Sequence, residues 1–309
     1  MERVLIMNKL LYIIILILFI VGGYWVLKNP QLSSNKSNKL AISASFYPMY
    51  FFSTQIGMEK ADISNITPAG AEPHDYEPTS QQIAKIERSN MLVLNGGVEG
   101  WGSKIKDNLK GTKVLIVVAG EGLITQKVEE QGQNVIDPHV WLDPVLAKQE
   151  VAKITDGFVK VDSSNETFYK NNQKKLDDKL DQLDKDYKEG LKSCKNKDII
   201  TSHAAFGYLA SRYGLRQVPI AGLSPDEEPS TQQLAQVAKF ARDNNIKYIF
   251  FESLVSPKLS ETIASEVGAK TMVLDPIEGI SDDNIKQGKN YFTVMEDNLK
   301  NLRVALECK

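Results

Sequence analysis

Three histidines stand in this chain, His74, His139 and His203, at intervals of 65 and 64 residues. An imidazole offers a neutral nitrogen to a first-row metal ion, or moves a proton near neutral pH. Each of the three follows a strand-like apolar run by a few residues, in "ISNITPAGAEPH", "NVIDPH" and "DIITSH", and a fourth such run, "TMVL", ends at Asp275. Ligands of open α/β sheets gather at the carboxyl ends of strands, so these four side chains can converge in one crevice, two from each half of the chain. Three imidazoles and a carboxylate form a recognised donor set for zinc, with bonds of about 2.0–2.2 Å. Histidines after strands also serve as surface or helix-capping residues. Prolines flank His74 and His139 and fix the backbone direction there, but spacing alone leaves both readings open.

The elements that would position these residues read as α/β. From Leu40, the runs "LAISASF", "DISNIT", "MLVLNG" and "KVLIVV" alternate with polar periodic segments, and the texture returns after Cys194 in "DIITSH", "RQVPIA", "KYIFFE" and "KTMVLD". Such alternation predicts two lobes with mostly parallel sheets. Between them, from about Asn165 to Leu191, Phe168, Leu176, Leu180, Leu183, Tyr187 and Leu191 recur at helical spacing with no proline. One helix of that span is roughly 40 Å long, enough to run beside both lobes. The predicted organisation is a leader and tether over 1–39, an N-terminal lobe over 40–164, a linking helix over 165–193 and a C-terminal lobe over 194–309. A final helix is expected from Asp283 to Glu307, and if it packs back on its own lobe, Cys194 and Cys308 can form a disulfide.

A formal net charge of −2 argues against nucleic acid as a partner. Neither a glycine-rich phosphate loop nor a nucleophile elbow is present. Residues Leu10 to Leu27 form an uncharged run about as long as a bilayer core requires, followed by the polar stretch "NPQLSSNKSNK". Tyr24, Trp25 and Lys28 suit an interfacial flank, and no small-residue cleavage site follows directly. The expectation is an extracytoplasmic body tethered by a transmembrane helix, with secretion after cleavage as the alternative.

The motifs "PHDYEPT", "DPHVWLDP", "SHAAFGYLASRYGL", "GLSPDEEPS", "FFESLVSPK" and "LDPIEG" together resemble the metal-binding solute-binding proteins of ATP-driven zinc and manganese importers. The resemblance runs from Leu40 to the C-terminus. It implies two α/β lobes bridged by one long helix, a metal held in the cleft between them by His74, His139, His203 and Asp275, and delivery to an ABC permease. His203 stands where manganese-directed members tend to have glutamate, which resembles the zinc-directed branch. Zn²⁺ is therefore the expected cargo, with Mn²⁺ or iron as the alternative, carried by a monomer that is not an enzyme. A zinc metallohydrolase is the rival class, because three ligands and an open position activate water. An added adhesin role is a third reading. Two departures stand out: "EGLITQKVEEQGQNVI" lacks the histidine-rich loop of many zinc-directed relatives, and no cysteine follows the apolar run to carry a lipid. Glu72, Asp75, Asp137 and Asp143 are candidates to accept the second N–H of a ligand histidine. Asp226, Glu227 and Glu228 either close over the metal or cap a helix near Ser230.

Overall fold

The strand-forming runs expected from the sequence assemble into two four-stranded sheets. A computed structural model describes residues 39–130 and 133–309, together with Ile15, Ile17 and Leu18. The first sheet contains β1 (Leu40–Ala44), β2 (Ala61–Asn65), β3 (Met91–Leu94) and β4 (Leu115–Val118), all parallel, in the order β2-β1-β3-β4. An antiparallel hairpin follows, β5 (Lys127–Glu130) with β6 (Gln133–Ile136). The second sheet contains β7 (Asp198–Thr201), β8 (Arg216–Pro219), β9 (Tyr248–Phe251) and β10 (Lys270–Val273), again parallel, in the order β10-β9-β7-β8. Numbered within its own lobe, each sheet reads 2-1-3-4, so both lobes carry the same switch point between their first and third strands.

Helices cover both faces of each sheet. The N-terminal lobe contributes α1 (Tyr47–Gly57), α2 (Ser80–Glu87), α3 (Gly102–Asn108) and α4 (Pro144–Val161). The long helix, α5, runs from Glu166 to Leu191, within one residue of its expected span, and buries Tyr169, Leu176, Leu180, Leu183, Tyr187 and Leu191. The C-terminal lobe adds α6 (Gly207–Tyr213), α7 (Thr231–Asp243), α8 (Lys258–Val267), α9 (Asp282–Lys286) and α10 (Tyr291–Ala305). Ser230 caps α7 in a reciprocal box with Gln233, the capping reading of that loop. The expected final helix is instead two helices, because Gly288 takes φ 85° between them and Asn290 starts a new capping box.

Two apolar clusters are local to the lobes: one joins Ile86, Leu92 and Trp101 under α2 and α3, the other joins Ile200, Val237 and Ile263 under α7 and α8. A third and larger cluster is shared. It runs from Ile42 and Val93 through α1, α4 and the buried stripe of α5 to Phe250, Leu274 and Tyr291.

Cys194, just past α5, and Cys308, just past α10, form the expected disulfide across a separation of 114 residues. Closing so long a loop contributes about 2–4 kcal/mol. Replacing both cysteines by serine should lower the Tm by about 2–4 °C for each kcal/mol lost in this size class. A calorimetric melt of the oxidised parent against the double variant checks this, and equal midpoints would remove the stabilising role.

The apolar leader and polar tether expected over 1–39 lie outside the described residues, apart from the few named above. Among the described residues, no helix is long and apolar enough to cross a membrane.

Candidate metal centre

Each histidine sits in a loop whose backbone is tied down. His74 lies between β2 and α2, where Thr79 and Gln82 form a capping box and the Gln82 amide donates to the Ile66 carbonyl at 2.6 Å. Glu72 accepts the backbone N–H of His74 at 2.9 Å and that of Asp75 at 3.3 Å. His139 follows the β5–β6 hairpin, not a strand of the parallel sheet as the sequence suggested. The Asn95 side chain donates to the carbonyl of the preceding Pro138 at 3.0 Å. His203 leaves the end of β7, and its carbonyl accepts from Thr201 and Gln217 at 2.8 and 2.9 Å.

The three imidazoles converge, and the fourth group is Glu278. Its Oε1 lies 3.2 Å from His74 Nε2, 3.1 Å from His139 Nε2 and 3.3 Å from His203 Nε2, while the last two nitrogens are 3.3 Å apart. His139 and His203 are fully buried and Glu278 is 2% exposed, with His74 on the open side. Four donors bonded to a tetrahedral zinc at about 2.0–2.1 Å must lie about 3.3–3.4 Å from one another. The four separations given above come within about 0.3 Å of that figure, and all four donor atoms lie within 4.8 Å of one another.

Carboxylates behind the rings set their tautomers. Asp137 Oδ1 accepts the backbone N–H of His139 at 2.9 Å and lies 2.8 Å from its Nδ1, and Glu252 Oε1 lies 2.6 Å from His203 Nδ1. With Nδ1–H donated backward, Nε2 is left to face an ion. Burial pushes the His139 and His203 rings down, but Asp137, Glu252 and Glu278 outweigh it and hold both above the usual histidine value. Burial likewise pushes Glu278 up, and the charge of His203 with hydrogen bonds from all three rings holds it well below the usual carboxylate range.

Asp275, expected as the fourth ligand, is not among the converging groups. Its carboxylate accepts from Ser253 Oγ and, at 2.7 Å, from the N–H of Ile277. The physical reason is the turn that follows: Ile277 has φ 59°, which directs Glu278, three residues past Asp275, into the cleft. For a β-branched residue that conformation costs about 1–2 kcal/mol. Gly279 then packs so closely that an added Cβ would lie 3.0 Å from Leu254 and 3.4 Å from the Ala71 carbonyl, against the loop that carries His74.

Of the candidate supporting carboxylates, Asp137 meets its histidine through the ring and Glu72 only through the backbone. Asp75 accepts from Ser224 at 3.3 Å. Asp143 caps α4 and pairs with Arg212 at 2.7 Å across the lobes. Sequence reasoning missed Glu252 and Glu278. Glu252 directly follows β9, beside β7 at the switch point, so the strand-end rule that found His203 applied to it equally. Glu278 lay in the quoted "LDPIEG", but the same rule favoured Asp275.

Residues 42–305 match the family model described as ZnuA, the periplasmic component A of the zinc-uptake complex. The chain belongs to the ZnuA family. The high-affinity zinc uptake system protein ZnuA of Bacillus subtilis is 41% identical over 289 residues, covering 90% of this chain and 91% of that one. The zinc-binding lipoprotein AdcA of Streptococcus pneumoniae is also 41% identical, over 86% of this chain but 55% of its own length. The crystal structure of the Zn(II)-bound ZnuA-like domain of that AdcA superposes with a TM-score of 0.77 at 40% identity, covering 87% of this chain and 99% of that domain. ZnuA-family membership makes the chain a solute-binding component of an uptake complex, and its fold is that of the two-lobed ZnuA-type proteins.

Proposed function

We propose that the protein captures Zn²⁺ outside the cytoplasmic membrane and delivers it to the permease of an ATP-driven importer, held near that permease by its N-terminal segment. The zinc sits on His74, His139 and His203, with Glu278 rather than Asp275 as the fourth donor. The observation that carries this reading is that Glu278 lies 3.1–3.3 Å from all three imidazole Nε2 atoms, two of which are 3.3 Å apart. The zinc-named relatives support it. Three nitrogens and one oxygen favour the later first-row ion over manganese, which prefers more oxygen.

A hydrolytic site keeps one position for water, whereas here a buried carboxylate faces all three nitrogens, so the geometry favours holding over activating. The body works as a monomer, each chain holding its own complete donor set.

Protein purified without chelator is expected to carry one zinc per chain, and the emptied protein to bind Zn²⁺ more tightly than Mn²⁺. Elemental analysis followed by chelator-competition titration checks both. Binding of manganese as tight as zinc would overturn the zinc assignment, and absence of any bound metal would overturn the site.

A further inference from the structure

The backbone that delivers Glu278 is held by side chains at each polar group from the Asp275 N–H to the Ile277 N–H. Asn298, buried on α10, accepts the Asp275 N–H at 2.9 Å and donates to the Asp275 carbonyl at 2.7 Å. The indole of Trp141, two residues past His139, donates to the Pro276 carbonyl at 2.8 Å. Asp275 Oδ1 accepts the Ile277 N–H at 2.7 Å, and Ser253 Oγ donates to Asp275 Oδ2. Within this frame Ile277 is fully buried at φ 59°. A β-branched residue stays in the left-handed region only where its surroundings over-determine it, and such outliers gather where a site needs a fixed geometry.

We infer that Asp275 is a positioning residue for metal binding, whose carboxylate holds the left-handed turn at Ile277 and thereby aims Glu278 at the three imidazoles. This rests on Glu278 as the fourth donor. Without the Asp275 acceptor, the Ile277 N–H is orphaned in the core and the turn relaxes toward the common φ < 0 regions. Glu278 then swings from the point that His74, His139 and His203 share. The hydrogen-bond acceptor at that position is what matters, and its charge is not, which separates positioning from ligation.

Two substitutions divide those properties. Asp275→Asn keeps the acceptor at the same reach without charge. Asp275→Glu keeps the charge but extends the carboxylate by one methylene, so it overshoots the Ile277 N–H. Zinc affinity by chelator competition is expected to be close to the parent for Asp275→Asn and about 10–100-fold weaker for Asp275→Glu, the range for loss of an outer partner of a metal site. The visible spectrum of the Co²⁺-loaded proteins, which reports donor geometry, should be unchanged in the first and altered in the second. Asp275→Asn weaker than Asp275→Glu would make Asp275 a charged ligand, and parental affinity with a parental spectrum in both would leave it no role; either result overturns the inference. Glu278→Gln in the same titration tests the underlying reading separately: parental affinity there removes Glu278 as donor whatever the Asp275 variants do.

Discussion

A His139→Ala protein is expected to bind zinc more than a hundredfold more weakly than the parent. His139 Nε2 lies at 3.1 Å from Glu278 and 3.3 Å from His203, so it meets two of the other three donors at the zinc spacing. Its loss does more than remove one bond. Asp137 keeps the backbone N–H of residue 139 but loses the ring it orients, and Glu278 loses one of the three ring hydrogen bonds that offset its burial. Removal of an outer partner alone typically costs about 10–100-fold, and a direct donor should exceed that. Chelator-competition titration is the measurement, paired with a thermal melt in the absence of metal to show that the variant folds. A loss below tenfold in a folded variant would mean that the three imidazoles do not share one ion.

The second large effect is expected from pH. In the metal-free protein, the His203 and His139 rings hold protons above the usual histidine value because Glu278, Glu252 and Asp137 favour the charged rings. Those protons must leave before zinc binds, and each costs about tenfold in affinity per pH unit below its pKa. The fall should therefore begin above pH 6.5, where free histidines are still mostly neutral. Folding responds with the opposite sign. A raised histidine pKa stabilises the metal-free fold fully below about 6.5 and loses that contribution as pH rises through the raised value, while the depressed Glu278 stabilises above about 4.5 and loses its contribution as pH falls. The metal-free protein is thus favoured at mildly acidic pH and the zinc form at higher pH. The rise in Tm produced by a fixed excess of zinc should be large at pH 8 and small at pH 5.5. Equal shifts at both values would show that no proton competes for the site.

His74 and His203 were legible in the sequence because each follows a strand of a parallel sheet, which brings such loops to one edge; His139 was found by the same rule although it follows the antiparallel hairpin. The long helix was legible because Leu176, Leu180, Leu183 and Tyr187 repeat along one stripe. Glu278 was not, because its reach depends on the sign of one backbone angle at Ile277, and isoleucine gives no signal of a left-handed turn. Distances measured along the chain could not separate it from Asp275, three residues earlier. The β5–β6 hairpin was hidden for a related reason: its strands are mostly polar and pair only with each other, so the alternation that marks the main sheets is absent. The break before α10 did leave a signal, Gly288 followed by Asn290, within an otherwise helical pattern.

The largest apolar cluster passes from the first sheet through α5 into the second without interruption. Each lobe keeps a smaller cluster of its own, but the main core belongs to both, so the body should denature as one cooperative unit rather than lobe by lobe. For a carrier this has a kinetic meaning. Parting the lobes widely would expose Tyr187, Phe250 and their neighbours to water, at a cost approaching that of global unfolding. The loop bearing His74 lies on the open side of the site, outside that shared cluster, and can open at far lower free energy, as a partial excursion of an otherwise intact molecule. Cargo release then draws on the least stable tier of the fold and leaves the core closed throughout.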